Sequence, residues 1–150
     1  MNDSSNNLTA GSTAKPSRNR ARLVLVADDH EDTRLMLRTV LEMSGFDVLE
    51  ADDGMKAVLL TKRELPDIVL MDFGLPVLDG LTALQLIRSH AEAAKTPVIF
   101  LSGHAEPGPK QAVNKAGCDD FLLKPVDLDK MLKLIEQRLP PLSTASEPGS

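Results

Sequence analysis

Short apolar runs alternate along the chain with segments whose hydrophobic residues recur at helical spacing. The runs are Leu23 to Ala27, Val48 to Ala51, Ile68 to Met71, Val98 to Leu101 and Phe121 to Leu123. The first, third and fourth are nearly continuous, the pattern of strands buried on both faces of a parallel sheet. Between the runs, Leu35, Leu37, Val40 and Leu41 follow one face after Glu31, and Ala57, Val58 and Leu60 follow Gly54. Leu81, Leu84 and Ile87 follow Asp79; Ala112, Val113 and Ala116 lead to Gly117; Leu128, Met131, Leu132 and Ile135 close the pattern. Gly45 and Gly117 stand where helix C-terminal glycines belong. Five strand-plus-helix units predict an α/β architecture, a parallel sheet with right-handed crossovers.

In such a sheet, polar groups at the carboxyl ends of the strands face a shared crevice. Asp28 and Asp29 follow the first run, Asp72 the third, Ser102 the fourth and Lys124 the fifth, so all five are expected on one edge. Each has an ordinary alternative: Asp29 as a helix cap, Ser102 as a turn residue, Lys124 as a surface lysine. Together they imply more. Three carboxylates within a few ångströms repel by about 1 kcal/mol or more per pair unless a cation or proton lies among them. Oxygen ligands of this hardness favour Mg²⁺. A carboxylate beside a divalent ion, with a lysine and a hydroxyl opposite, suits phosphoryl transfer, with Asp72 as the acceptor.

Composition narrows the class. The 150 residues carry 17 Lys and Arg against 22 Asp and Glu, a formal net charge of −5, which argues against nucleic-acid or anionic-membrane binding by the chain as a whole. There is no Trp or Tyr for an aromatic stacking platform. No stretch approaches the roughly 20 apolar residues of a membrane span. The lone Cys118 has no partner for an internal disulfide, which fits a reducing cytoplasm, and it is expected as a small buried residue near a strand start. Residues 1–21 are polar, with Lys15, Arg18 and Arg20 outweighing Asp3, and read as a disordered arm without a secretory signal's apolar core. Residues 140–150 read as a disordered tail, leaving a working domain over 22–139. His30 and His90 lack partners at metal-ligand spacing and are expected at the surface.

The stretch VLMDFGLPVLDG, residues 69–80, joins these observations. Asp28-Asp29 after the first strand, Met71-Asp72 followed by Leu75-Pro76 and Asp79-Gly80, Ser102-Gly103 after the fourth strand, and Phe121-Leu122-Leu123-Lys124-Pro125 resemble the receiver domain of two-component response regulators, of the single-domain kind found in chemotaxis. The resemblance implies a flavodoxin-like fold, a doubly wound five-stranded sheet of order 2-1-3-4-5 with five helices. It implies that Asp72 accepts a phosphoryl group from a histidine kinase or a histidine phosphotransfer protein. Asp28, Asp29, Asp72 and the backbone carbonyl of Gly74 would hold Mg²⁺; Lys124 would contact the phosphoryl group, and Lys124-Pro125 would be cis. Ser102 and Phe121 match a switch pair, although a turn serine and a core phenylalanine also describe them. Gly74 and His104 occupy positions that tune phosphoryl lifetime.

By the same resemblance, a downstream protein would bind the 110–138 face, with a homodimer left open. Too little chain lies outside the receiver for a further output module, so the expected role is a signalling switch or relay and not an enzyme. Two other readings stand beside it: a receiver-like interaction module that works without phosphorylation, and a Mg²⁺-dependent aspartyl-phosphate phosphohydrolase. The second needs an Asp-x-Asp motif, whereas Asp28 and Asp29 are adjacent, and a substrate cap.

Overall fold

The computed structural model describes residues 22–103 and 117–139. Five parallel strands, β1 (Leu23–Ala27), β2 (Asp47–Ala51), β3 (Ile68–Asp72), β4 (Val98–Ser102) and β5 (Asp120–Leu123), form one sheet of order β2-β1-β3-β4-β5. The described helices are α1 (Glu31–Met43), α2 (Gly54–Glu64), α3 (Gly80–Arg88) and α4 (Leu128–Arg138), with a 3₁₀ turn at Ala93–Lys95. The helix expected over 112–116, the arm over 1–21 and the tail over 140–150 lie outside the described residues.

The apolar runs are continuous because both faces of the sheet are covered. Side chains alternate across a strand, so Val24, Val26, Ile68, Leu70, Ile99 and Leu101 face one core with Leu37 and Leu41 of α1 and Met131 and Ile135 of α4. Leu25, Ala27, Val69, Met71, Val98 and Phe100 face the other, with Ala57 and Val58 of α2 and Ala83, Leu84 and Ile87 of α3. One correction concerns α1. Leu35 does not share the buried face; it is 61% exposed while Leu37 is fully buried, because residues two apart lie on nearly opposite sides of a helix.

Three helices start on an aspartate that accepts from the backbone three residues on: Asp53 from Lys56, Asp79 from Thr82 and Asp127 from Lys130, the ordinary satisfaction of orphan N–H groups. The exception is α1, whose N-cap is His30 without a side-chain cap. Asp29, a candidate cap by sequence, does not fill that role. Gly45, which follows α1, has a left-handed φ of 96°, as expected for a glycine ending a helix; Gly117 has a φ of 97°, and the helix expected before it lies outside the described residues.

The β3–α3 connection is held by two glycines. A Cβ on Gly80 would lie 2.9 Å from the Phe73 carbonyl oxygen and 3.0 Å from that of Asp72, and the Gly80 N–H donates to the Phe73 carbonyl at 2.9 Å. A Cβ on Gly54 would overlap the Leu78 carbonyl. The loop between them folds tightly: Leu78 N–H donates to the Pro76 carbonyl at 2.7 Å, a γ-turn centred on Val77 with φ 69°. At the opposite end of the sheet the Arg88 guanidinium donates to the carbonyls of Gly117, Ala94 and Thr96 and to the Asp119 carboxylate. Asp119 in turn accepts from Val98 N–H at 2.8 Å, so α3 is fastened to the starts of β4 and β5.

Candidate functional site

The carboxyl ends of β1, β3 and β5 bring Asp28, Asp29, Asp72 and Lys124 together. Asp72 and Ser102 are the last residues of β3 and β4, not the first beyond them as the apolar runs suggested, because the ladders extend one residue further: Asp72 pairs with Leu101 and Ser102 with Leu123. Asp28 is fully buried and Asp72 nearly so, while the Asp29 side chain is 38% exposed. Lys124 Nζ lies 2.7 Å from Asp28 Oδ2 and 3.2 Å from Asp72 Oδ2.

That cation sits in a partly dry cleft. Burial alone would lower the Lys124 pKa, but the hydrogen bonding and charge of Asp28 and Asp72 outweigh it and raise the pKa above the ordinary lysine value. The ammonium therefore stays charged at neutral pH and offsets part of the repulsion between the two carboxylates. Lys124 N–H also donates to the Ser102 carbonyl at 2.8 Å, which ties the lysine to the β4 edge. The Lys124-Pro125 bond is cis.

The other expected residues distribute as follows. Gly74 N–H donates to Asp72 Oδ1 at 3.2 Å, so the turn after β3 orients the carboxylate. Ser102 is buried at the end of β4. Phe121 lies in β5 opposite Phe100, half-buried against the core shared by α2 and α3, with its ring centroid 6.5 Å from that of Phe100. His104 lies outside the described residues. Cys118 precedes β5 and is only partly buried; its Sγ is 3.1 Å from the Asp120 carbonyl.

His30 is the residue that sequence reasoning missed. Placed at the surface for want of a partner at ligand spacing, it is exposed but brings Nδ1 to 3.0 Å from Asp28 Oδ1 and 3.3 Å from Asp29 Oδ1. The usable signal was its position directly after the acidic pair. His90 shows no such link; its Nδ1 accepts from Ala93 N–H.

These residues fit a hard divalent cation. Ligand atoms of Asp28, Asp29, His30 and Asp72 all lie within 4.8 Å of one another, and bonds of about 2.1 Å to an octahedral Mg²⁺ put opposite ligands roughly 4.2 Å apart. Asp28 Oδ2 is buried with the Lys124 ammonium 2.7 Å away, and one ammonium facing the carboxylates of Asp28, Asp29 and Asp72 leaves an excess of negative charge that a divalent ion would balance.

Comparison with known proteins agrees with this geometry. Over 115 residues, 77% of its length, the chain is 39% identical to the regulatory protein AtoC of Escherichia coli K12, and it spans 24% of that longer protein. It is 36% identical to Protein PilH of Pseudomonas aeruginosa over 112 residues, 75% of this chain and 93% of PilH. The receiver domain of the sensor histidine kinase PA1611 from P. aeruginosa, solved with magnesium in its active-site cleft, superposes with a TM-score of 0.73 at 29% identity, covering 78% of this chain and 96% of that one. No described helix is long and apolar enough to cross a membrane. The response regulator receiver domain model matches residues 24–136, and with the 2-1-3-4-5 sheet and the acidic cleft at its carboxyl edge, the chain belongs to the receiver domain family of two-component signalling.

Proposed function

We propose that Asp72 accepts a phosphoryl group from a phosphohistidine on a histidine kinase or histidine phosphotransfer protein. The observation that carries this is Lys124 Nζ bridging Asp28 and Asp72 at 2.7 and 3.2 Å at the carboxyl edge of the sheet. An Asp72 carboxylate oxygen attacks phosphorus, the P–N bond to the donor imidazole breaks, and the departing imidazole takes up a proton. Lys124 neutralises charge on the phosphoryl oxygens as they move, and Asp72 is held for attack by the Gly74 N–H. Asp28, Asp29, Asp72 and the Gly74 carbonyl would hold Mg²⁺, which when bound offsets charge on the transferring group.

Phosphorylation replaces one carboxylate with a dianionic group bearing three acceptor oxygens. Ser102, at the end of β4, and Phe121, in the neighbouring strand, are the pair through which that change would reach the 110–138 face, where a downstream protein would bind. Gly74 and His104 would set the lifetime of the phosphoryl group. The protein then acts in the cytoplasm as a switch and not as an enzyme with a separate substrate, its working unit being residues 22–139.

Intact-mass measurement after incubation with acetyl phosphate tests this. One added phosphoryl group is expected, absent without Mg²⁺ and absent in Asp72→Asn. An adduct that persists in Asp72→Asn overturns the assignment of the acceptor, and one that forms equally well without Mg²⁺ overturns the cation's role.

A further inference from the structure

His30 gives this cleft a donor that carboxylates do not supply. Its backbone N–H donates to Asp28 Oδ1 at 2.8 Å, and its ring Nδ1 is hydrogen-bonded to that same oxygen at 3.0 Å and lies 3.3 Å from Asp29 Oδ1. Adjacent ligands of an octahedral ion with bonds of about 2.1 Å stand about 3.0 Å apart, so the ring nitrogen lies where an adjacent ligand would lie. Asp28 is fully buried, whereas the His30 side chain is 65% exposed, so the set runs from the interior to the surface.

We infer that His30 completes a mixed imidazole and carboxylate donor set with Asp28, Asp29 and Asp72, giving the cleft a preference for borderline first-row divalent ions of the Co²⁺ and Zn²⁺ class over Mg²⁺. Oxygen donors alone suit Mg²⁺, whereas imidazole suits the later first-row ions and adds little for Mg²⁺. Coordination through Nδ1 leaves the proton on Nε2, directed away from the acids. The inference rests on the reading of this cleft as the cation site.

The test is calorimetric titration of metal-free protein with MgCl₂ and with CoCl₂ at pH 7.5, on the unaltered protein, His30→Ala and Asp28→Asn, joined to proton NMR of the Co²⁺-loaded unaltered protein. The Co²⁺ affinity of His30→Ala should fall by at least about tenfold more than its Mg²⁺ affinity. The unaltered protein should show hyperfine-shifted imidazole signals with one exchangeable N–H, and His30→Ala should lack them. An unchanged selectivity ratio, no shifted imidazole signal in the unaltered protein, or shifted signals that survive in His30→Ala, as they would if His90 or His104 supplied the nitrogen, each overturns the inference. Asp28→Asn separates the two readings. If it leaves both affinities intact, the cation site itself is misplaced; if it abolishes both while the ratio in His30→Ala is unchanged, only the role of His30 falls.

Discussion

Arg34 donates from Nη1 to the backbone carbonyl of Asp28 at 3.0 Å, so a side chain from the first turn of α1 holds the loop that carries the buried acid. Its Nε is fixed in turn by Glu50 Oε1 at 2.9 Å, and Arg38 Nη1 reaches Glu50 Oε2 at 2.6 Å. The loop geometry is thereby coupled to a carboxylate on β2.

Glu50 should make stability acid-sensitive. The Arg34 hydrogen bond is the largest cause holding its carboxyl below the ordinary value; burial opposes this, and Arg38 adds to it. A folded-state pKa below the unfolded one contributes stability that is present above the unfolded value, about 4.3, and lost as pH falls through the folded value. Urea midpoints measured from pH 6 to pH 3 should fall less steeply for Glu50→Gln than for the unaltered protein.

Lys124 should have opposite effects on the two properties of the cleft. Replacing it with methionine removes a cation lying 2.7 and 3.2 Å from two carboxylates, so Mg²⁺ should bind more tightly. The initial rate of phosphorylation should drop by about tenfold or more, because a charge that stabilises the transferring group is gone. Calorimetry and a phosphorylation time course on the same sample read both effects.

Much of this was legible in the sequence. The continuous runs at β1, β3 and β4 gave the two-sided sheet, because only a strand covered on both faces carries apolar residues at every position. The acids at the strand ends gave the edge. Less legible were Leu35, misplaced because an apolar residue on a helix need not be buried, and His30, whose place directly after the acidic pair was the only signal and whose ring contact with Asp28 depends on how the backbone turns there. Arg34 and Arg88 look like ordinary basic residues in sequence; their acceptors are mostly backbone carbonyls, which no side-chain pattern encodes.

Gly80 should tolerate no side chain. A methyl there meets backbone atoms of Phe73 and Asp72 at 2.9 to 3.0 Å, and backbone cannot yield as a flexible side chain does. Gly80→Ala should lower stability by about 1–3 kcal/mol and slow phosphorylation, since relief of the clash displaces the turn after β3. Chemical denaturation with an acetyl phosphate assay measures both.

Arg88 should be irreplaceable by lysine. Its planar fork serves three carbonyls and a carboxylate at once, which an ammonium on a flexible stem does not reproduce. Both Arg88→Lys and Arg88→Ala should cost about 2–4 kcal/mol, with alanine the worse, as read from denaturation midpoints.

Cys118 should be slow to alkylate. Burial pushes its thiol up to about 11, so little thiolate exists at pH 8. Iodoacetamide should label it at a small fraction of the rate seen in urea, and the native rate should still be rising between pH 9 and pH 10.

The Arg88 fastening and the acidic cleft occupy opposite ends of strands four or five residues long, which places them roughly 15 Å apart. At that separation, with no shared partners, perturbations add independently. One end of the molecule is an anchor and the other a workbench. Substitutions of the exposed groups at the workbench, such as His30 and Asp29, should therefore leave the anchor intact, because none of the partners of Arg88 lies at that end of the sheet.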